Sequence, residues 1–284
     1  MIRALALACL GALLCACSKP STDVPDPGPA QRVVTFAPHF AEMMYAIGAS
    51  EQLVGVSAWS DFPREVLELP HIGDAFSIDQ EQLSLLQPDL LLAWESGMPA
   101  HTVDDLRARG YRVETIRTRN LEDVAAAILR IGELTGHTEA AAATASDFTG
   151  ALESLRAQYE DASPIDVFFQ ISTRPLYTVN REHFISEIIE LCGGRNVFAD
   201  VDAFAPSVSV EAVLDRDPEV MLAGTNLGDG AFEEWARWPN LAANRYGNQF
   251  LLPDETIERP SPRLAMAARS VCIALDQARG NMSP

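Results

Sequence analysis

The chain has 284 residues, 48% of them hydrophobic, enough to bury one large core or two modest ones. Its 21 basic against 40 acidic side chains leave a net charge of −19, which argues against nucleic-acid binding, because that needs clustered Lys and Arg. A surplus of this sign favours solubility and a partner that presents positive charge.

Residues 1–16, MIRALALACLGALLCA, are an apolar run behind the single charge of Arg3. The run is too short, and too quickly followed by polar residues, to span a membrane, and it is predicted to be a signal peptide. Leu14-Cys15-Ala16-Cys17 resembles the lipobox of bacterial lipoproteins, which makes Cys17 the expected lipidation site. A plain secretory leader, giving a soluble periplasmic protein, is the alternative. Ser18–Ala30, SKPSTDVPDPGPA, is rich in Pro, Ser and Asp and is expected not to pack, so residues 17–31 are predicted to form a lipidated tether. Cys9 and Cys15 leave with the leader, so Cys192 and Cys272 are the cysteines of the body. In an oxidising compartment two such cysteines pair, the alternative being two separately buried thiols.

Short β-branched or aromatic runs then alternate with amphipathic stretches. Strands are predicted at Arg32–Ala37, Leu53–Ser57, Leu90–Trp94 and Tyr111–Ile116, with helices at Ala41–Ile47, Asp79–Leu86 and Val103–Arg109. Thr138–Tyr159 contains no proline, is dense in alanine, and predicts one helix of about 33 Å at 1.5 Å per residue. Strand–helix alternation restarts with Asp166–Ile171, Glu219–Gly224 and Gln249–Pro253. The predicted fold is therefore α/β: two Rossmann-like lobes (32–136 and 163–284) joined by a single long rigid helix (137–162), with a ligand cleft between the lobes.

The halves carry an internal repeat. SIDQEQLSLLQPDLLLA from Ser77 matches SVSVEAVLDRDPEVMLA from Ser207 at a constant offset. Each copy offers a polar cap (Asp79, Ser209), a glutamate two residues on (Glu81, Glu211), a short helix, a proline stop (Pro88, Pro218) and an apolar strand. One glutamate in a first helical turn is ordinary dipole complementation, contributing about 0.3–1 kcal/mol. Two at equivalent positions of two lobes also suit docking onto a pair of arginines of a partner.

Aromatic residues gather near predicted strand ends: Trp59, Phe76, Trp94, Tyr177 and Phe204. In open α/β sheets the carboxyl ends of the strands face the ligand crevice, and a cleft lined this way suits a large, partly apolar ligand. Core packing is the alternative for each. His39, His71, His101, His137 and His183 lack paired ligand spacing, so no metal site is expected; His39, after Pro38, is placed near the cleft and the others mostly on the surface. The sequence contains no Gly-x-Ser-x-Gly, phosphate-binding glycine loop or His-Glu-x-x-His. An exported enzyme using Asp61 or Glu95 as acid or base is the rival reading, and no resident cofactor is expected in either case.

Several segments together resemble a known family, the periplasmic binding proteins for cobalamin, haem and iron-siderophores, nearest to its cobalamin-binding members. They are Arg32-Val-Val-Thr-Phe-Ala-Pro with Glu42, Gly48, Val54-Gly-Val-Ser, Ser60-Asp-Phe-Pro, Gln87-Pro-Asp-Leu, Cys192-Gly-Gly-Arg-Asn-Val-Phe and Glu258-Arg-Pro-Ser-Pro-Arg-Leu. The resemblance runs from about Arg32 to Ala278. It implies a monomeric binding protein without chemistry of its own, held to a membrane only by lipid, that captures a corrinoid and passes it to an ABC importer. It further implies that Glu81 and Glu211 dock onto arginines of the permease dimer and that Cys192 and Cys272 are bonded. Trp59, Trp94 and Tyr177 would lie in the cleft, with Arg259 of the last motif as a further ligand contact. Where cobalamin-binding members place pocket tryptophans this sequence has Ala75, Ala205 and Thr256, with Phe76 and Phe204 beside the first two. A related corrinoid, haem or a siderophore therefore remain alternative ligands.

Overall fold

The structure, a computed structural model, describes residues 28–253 and 255–283. The predicted leader, Cys17 and residues 18–27 of the tether lie outside the described residues.

The N-terminal lobe runs β1 (Val33–Thr35), α1 (Pro38–Ala46), β2 (Leu53–Val56), α2 (Gln80–Leu86), β3 (Leu90–Trp94), α3 (Ala100–Ala108), β4 (Val113–Ile116) and α4 (Leu121–Thr135). Then comes α5 (Thr138–Tyr159), with the bounds expected from the alanine-rich run. The C-terminal lobe runs β5 (Ile165–Gln170), the hairpin strands β6 (Ser172–Thr173) and β7 (Leu176–Tyr177), α6 (Phe184–Leu191), β8 (Gly194–Asn196), α7 (Val210–Arg216), β9 (Val220–Gly224), α8 (Ala242–Tyr246), β10 (Gln249–Leu252) and α9 (Leu264–Met282). Helices α4, α6, α8 and α9 and strands β6, β7 and β8 are not among the predicted elements.

Both sheets are four-stranded and parallel, ordered β2-β1-β3-β4 and β8-β5-β9-β10. Taken within its own lobe, each reads second, first, third, fourth. In such a sheet the crevice opens at the carboxyl ends of the first and third strands, where the winding direction reverses. The repeat is reproduced residue for residue. Asp79 accepts from the Gln82 N–H at 2.9 Å and Ser209 from the Ala212 N–H at 3.2 Å. Helices α2 and α7 have seven residues each and end at left-handed Gln87 and Asp217, and β3 and β9 follow at the same offset. Glu81 and Glu211 are both exposed in the first turns.

Strand side chains alternate between two environments, as a period of two requires. Val33, Leu90, Leu92, Val167, Phe169, Val220 and Leu222 enter one continuous core that also contains α1, α4, α5, α6 and α9. Val34, Leu91 and Ala93 face a separate cluster beneath α2 and α3, and Phe168 and Met221 face its counterpart with Trp235 and Val213. The lobes therefore share their inner core and keep only the outer ones to themselves.

The bridging helix α5 is the spine of this shared core. Its buried residues are Ala141, Ala145, Phe148, Leu152, Leu155 and Tyr159, a four-three spacing that makes a single stripe along one side. Against its first turns α4 comes unusually close, because a Cβ on Gly132 would lie 2.2 Å from that of Ala141. The end of the tether departs from expectation. Ala30 is buried and donates its N–H to the Leu134 carbonyl at 2.8 Å, and the Gln31 and Arg32 amides bind the Asp89 carboxylate. The chain is thus already seated at Ala30, because its free amide matches an unpaired carbonyl near the end of α4.

Cys192, at the end of α6, and Cys272, within α9, are bonded across 80 residues of chain and completely buried. Replacing both with serine is expected to lower the unfolding free energy by about 3–4 kcal/mol, the scale for closing so long a loop. Urea denaturation measures the loss, and a change below about 1 kcal/mol would refute this account of the bond.

Candidate ligand-binding cleft

The carboxyl edges of the two sheets meet at two bridges. The first begins on α1, where the Glu42 side chain is only 2% exposed. Three groups from the segment after β10 converge on this carboxylate. Arg263 donates to both oxygens (2.9 and 2.7 Å), Ser261 Oγ donates at 2.6 Å, and Arg259 Nη1 at 3.3 Å. Arg259 also binds the Asp61 carboxylate in a bidentate pair and reaches the Trp59 carbonyl at 3.4 Å. Arg263 stacks on Phe62, its guanidinium carbon 3.6 Å from the ring centre. Burial works against the Arg259 charge, but hydrogen bonding to Asp61 and the charges of Asp61 and Glu42 outweigh it and raise its pKa. The network spans both lobes.

The second bridge joins the segment after β4 to the start of α6. The Phe184 amide donates to the Arg119 carbonyl at 2.7 Å, and the Leu121 amide donates to Glu187 Oε2 at 2.8 Å. The Arg119 side chain forms a bidentate pair with Glu95 at 3.1 Å and lies 5.4 Å from the Phe204 ring centre. Phe204 in turn packs on His183, centroids 4.6 Å apart. The first bridge connects the β2 edge to the β10 edge and the second the β4 edge to the β8 edge. These pairings interchange under the internal repeat, so the lobes face each other across a pseudo-twofold axis with the crevice ends of both sheets turned inward.

Each predicted aromatic sits at this inward edge or on a loop beside it. Trp94 ends β3 and meets His39 edge-on at 5.0 Å. Trp59, beyond β2, is 81% exposed with a φ of 68°, a left-handed conformation that costs a bulky residue about 1 kcal/mol or more. The Arg259 contact to its carbonyl helps hold it there. Phe76 is equally exposed on the loop before α2. That loop turns at Gly73 (φ +88°), where a Cβ would lie 2.0 Å from the Ser77 carbonyl oxygen, so only glycine fits. Tyr177 is partly exposed on β7, whose backbone pairs with Pro206 and Ser207 just beyond Phe204. Ala75 is half-buried, Ala205 exposed and Thr256 buried.

Two histidines depart from expectation. His39 lies beneath the edge rather than in the crevice, 2% exposed behind Trp94. Burial first, and the Arg259 charge second, push its pKa down to about 3. His183 is also withdrawn from solvent and pushed down to about 3 by burial; its Nδ1 accepts from the Ile185 amide at 3.2 Å and caps α6. Both imidazoles are neutral. Asp61 and Glu95, the carboxylates of the enzyme reading, are each held by an arginine.

A sequence profile of the periplasmic binding protein family matches residues 33–258. The chain belongs to that family. Among curated relatives, the vitamin B12-binding protein of Vibrio cholerae serotype O1 (strain ATCC 39541) is 35% identical over 251 residues, covering 88% of this chain and 90% of the relative. The crystal structure of the periplasmic vitamin B12-binding protein of Vibrio cholerae aligns with a TM-score of 0.80 at 34% identity, over 89% of this chain and 99% of that one. The periplasmic haem-binding protein RhuT of Roseiflexus sp. RS-1 in apo form aligns at 0.76 with 21% identity, covering 88% and 99%, which shows a common fold. The relatives are binding proteins, and this chain has the family's two-lobed architecture.

Arg119, His183, Asp61, Phe62 and Arg263 complete the two bridges although the aromatic pattern does not single them out. Glu42 and the arginines of the Glu258 to Leu264 motif were visible in the sequence only as separate motifs.

Removing the Glu42 carboxylate leaves two guanidiniums facing each other with one shared counter-charge gone. Glu42→Ala is expected to cost about 3–5 kcal/mol of stability, read from urea midpoints, with a loss under 1 kcal/mol counting against the clamp. The histidines supply a second expectation. A buried imidazole with its pKa near 3 stays neutral while the unfolded chain takes up a proton below about pH 6.5. Its contribution is fully present above that pH and is lost as pH falls toward 3. His183→Asn, which keeps a helix cap and removes the titrating ring, should flatten the fall in melting temperature between about pH 6.5 and 4. An unchanged slope would contradict this.

Proposed function

We propose that the protein is the extracytoplasmic substrate-binding component of an ABC importer and that its ligand is cobalamin or a related corrinoid. The observation that carries the ligand class is the charge balance of the cleft. Arg119 is paired with Glu95, and Arg259 and Arg263 with Glu42 and Asp61, so the cations at the two bridges are already matched by carboxylates of the protein. A ligand bearing several carboxylates, such as haem or many ferric siderophores, gains little there. A flat macrocycle rimmed with neutral amides suits a crevice of exposed aromatic faces and paired charges. The vitamin B12-binding relatives at 35% identity support the same class.

In this reading Trp59, Phe76, Trp94, Tyr177 and Phe204 provide the apolar contact, and Arg259 borders the ligand at the base while holding Trp59. Phe76 and Phe204 take over from tryptophans that the sequence lacks at Ala75 and Ala205. The shared core and the two bridges allow small lobe movements only, so the cleft is largely formed before the ligand arrives. Among the described residues the Glu42, Asp61 and Glu95 carboxylates of the bridges are each paired with arginine, which supports a ligand that leaves unaltered. Glu81 and Glu211 dock onto arginines of the permease dimer. The pseudo-twofold relation supports this, because it puts the two carboxylates at one height along the axis. Cys17 carries the lipid that keeps the monomer at the membrane.

Calorimetric titration with cobalamin, cobinamide, haem and a ferric siderophore tests the ligand class. Corrinoid binding at about 1 µM or tighter is expected, with Trp59→Ala and Phe76→Ala each weakening it roughly tenfold. Tight haem or siderophore binding without corrinoid binding would overturn the ligand and keep the class of protein. Glu81→Arg combined with Glu211→Arg should abolish uptake and leave corrinoid affinity unchanged.

A further inference from the structure

Four polar side chains of the N-terminal lobe gather under its inward edge. Thr35 ends β1 and Trp94 ends β3, and each lies two residues beyond a strand residue of the shared core, Val33 and Leu92. Both side chains therefore face the inner side of the sheet. Thr118 follows β4, whose Ile116 is the register partner of Trp94, and His39 sits in the first turn of α1, directly after β1. In the sheet β1 and β4 flank β3, so the four residues occupy one corner, between three adjacent strand ends and a helix packed against them.

Each of the four carries a side-chain atom that is withdrawn from water and has no hydrogen-bond partner among the described residues: Thr35 Oγ1, His39 Nε2, Trp94 Nε1 and Thr118 Oγ1. Thr35, His39 and Thr118 are at most 2% exposed. Trp94 is half-buried, and its nitrogen is on the hidden side; the other edge of the indole lies against Gly97, where an added Cβ would be 2.1 Å from Cε3. A buried polar atom left unpaired is costly, and native folds hold few of them. Here the set is chemically complementary. An indole N–H only donates, whereas a neutral imidazole has one bare, accepting nitrogen. Burial and the Arg259 charge keep His39 neutral, and it meets Trp94 edge-on with ring centroids 5.0 Å apart. The two threonine hydroxyls can donate or accept, so the corner offers an internal water the roughly three partners it needs.

We infer that His39 is a positioning residue for Trp94: its bare Nε2 takes the indole N–H through one internal water, whose remaining partners are the hydroxyls of Thr118 and Thr35. Gly97 fixes one edge of the indole by contact, and this link fixes the other by hydrogen bonding, so the angle at which the ring meets the cleft is set before a ligand arrives. The consequence for affinity rests on the cleft role of Trp94 and on the corrinoid reading. The link itself is a property of the ligand-free protein and does not depend on either.

The test follows hydrogen exchange of the Trp94 indole proton by NMR in the ligand-free protein with isotopically labelled tryptophan, the resonance being assigned by its loss in Trp94→Phe. His39→Phe keeps a ring against Trp94 and Phe40 but offers no acceptor, and it is expected to speed this exchange about tenfold or more and to weaken corrinoid binding about fivefold. His39→Gln, whose amide oxygen can replace Nε2, should stay within about twofold of the parent in both. Thr118→Val should speed the exchange less than His39→Phe does. The Trp235 indole, bonded to Gln170 at 2.8 Å, is the internal control and should not change in any variant. If His39→Phe does not fold, His39→Leu takes its place. An exchange rate within twofold of the parent without the imidazole overturns the inference, as does a His39→Gln protein that exchanges as fast as His39→Phe. A parent that binds no corrinoid would sink the ligand reading alone, and the indole exchange would still decide the role of His39.

Discussion

Burial of the Glu42 carboxylate is the constraint on which the relation between the lobes depends. A carboxylate withdrawn from water at 2% exposure requires counter-charge and hydrogen bonds, and among the described residues these come from Arg259, Ser261 and Arg263 of the other lobe. The charge cannot be satisfied unless the segment after β10 lies against α1. That docking brings Arg259 to Asp61 and to the Trp59 carbonyl and brings Arg263 onto Phe62. The position of an exposed cleft aromatic therefore follows from the neutralisation of a buried acid on a neighbouring helix.

The opposite end of the interface solves the same problem with weaker groups. Arg119 is paired within its own lobe and meets the other through an aromatic face, while the backbone bonds from Phe184 and Leu121 tie the lobes beside the bridging helix. Between the two bridges runs a core that belongs to both halves, with α5 packed along its length. A protein built this way does not swing open on a hinge, because opening would expose apolar surface on both sides of α5 and strip Glu42 of its partners.

Local signals were strong where one element carried its own pattern. Thr138–Tyr159 could be bounded from its alanine content, and the repeated cap, glutamate, proline and strand could be aligned without gaps because each of these residues acts within a single turn. Helices α4 and α6 each bury one apolar face in the shared core and carry the helical period that marks such a face, so both were legible in the sequence although they are not among the predicted elements, whereas α9 mixes small and polar residues and shows a weaker contrast. The three-residue strand β8 offers Gly194, Arg195 and Asn196, none a strand former, and exists because β5 provides a partner edge. His39 looked accessible because it follows Pro38 at the end of a strand, but α1 begins at once and turns the ring inward behind Trp94.

By itself the sequence determined the lobe–helix–lobe order, the duplicated capped helices with their first-turn glutamates and the set of aromatic residues near strand ends, since all of these rest on spacing and on the chemistry of neighbours in the chain. The Cys192–Cys272 bond expected from the sequence is present, but the tertiary structure alone decided that Arg259 and Arg263 meet Glu42 and that Arg119 reaches Phe204. The contacts to Glu42 join residues more than 200 positions apart, and no local propensity encodes a partner so distant. They form because two sheets sharing one core bring their carboxyl edges face to face.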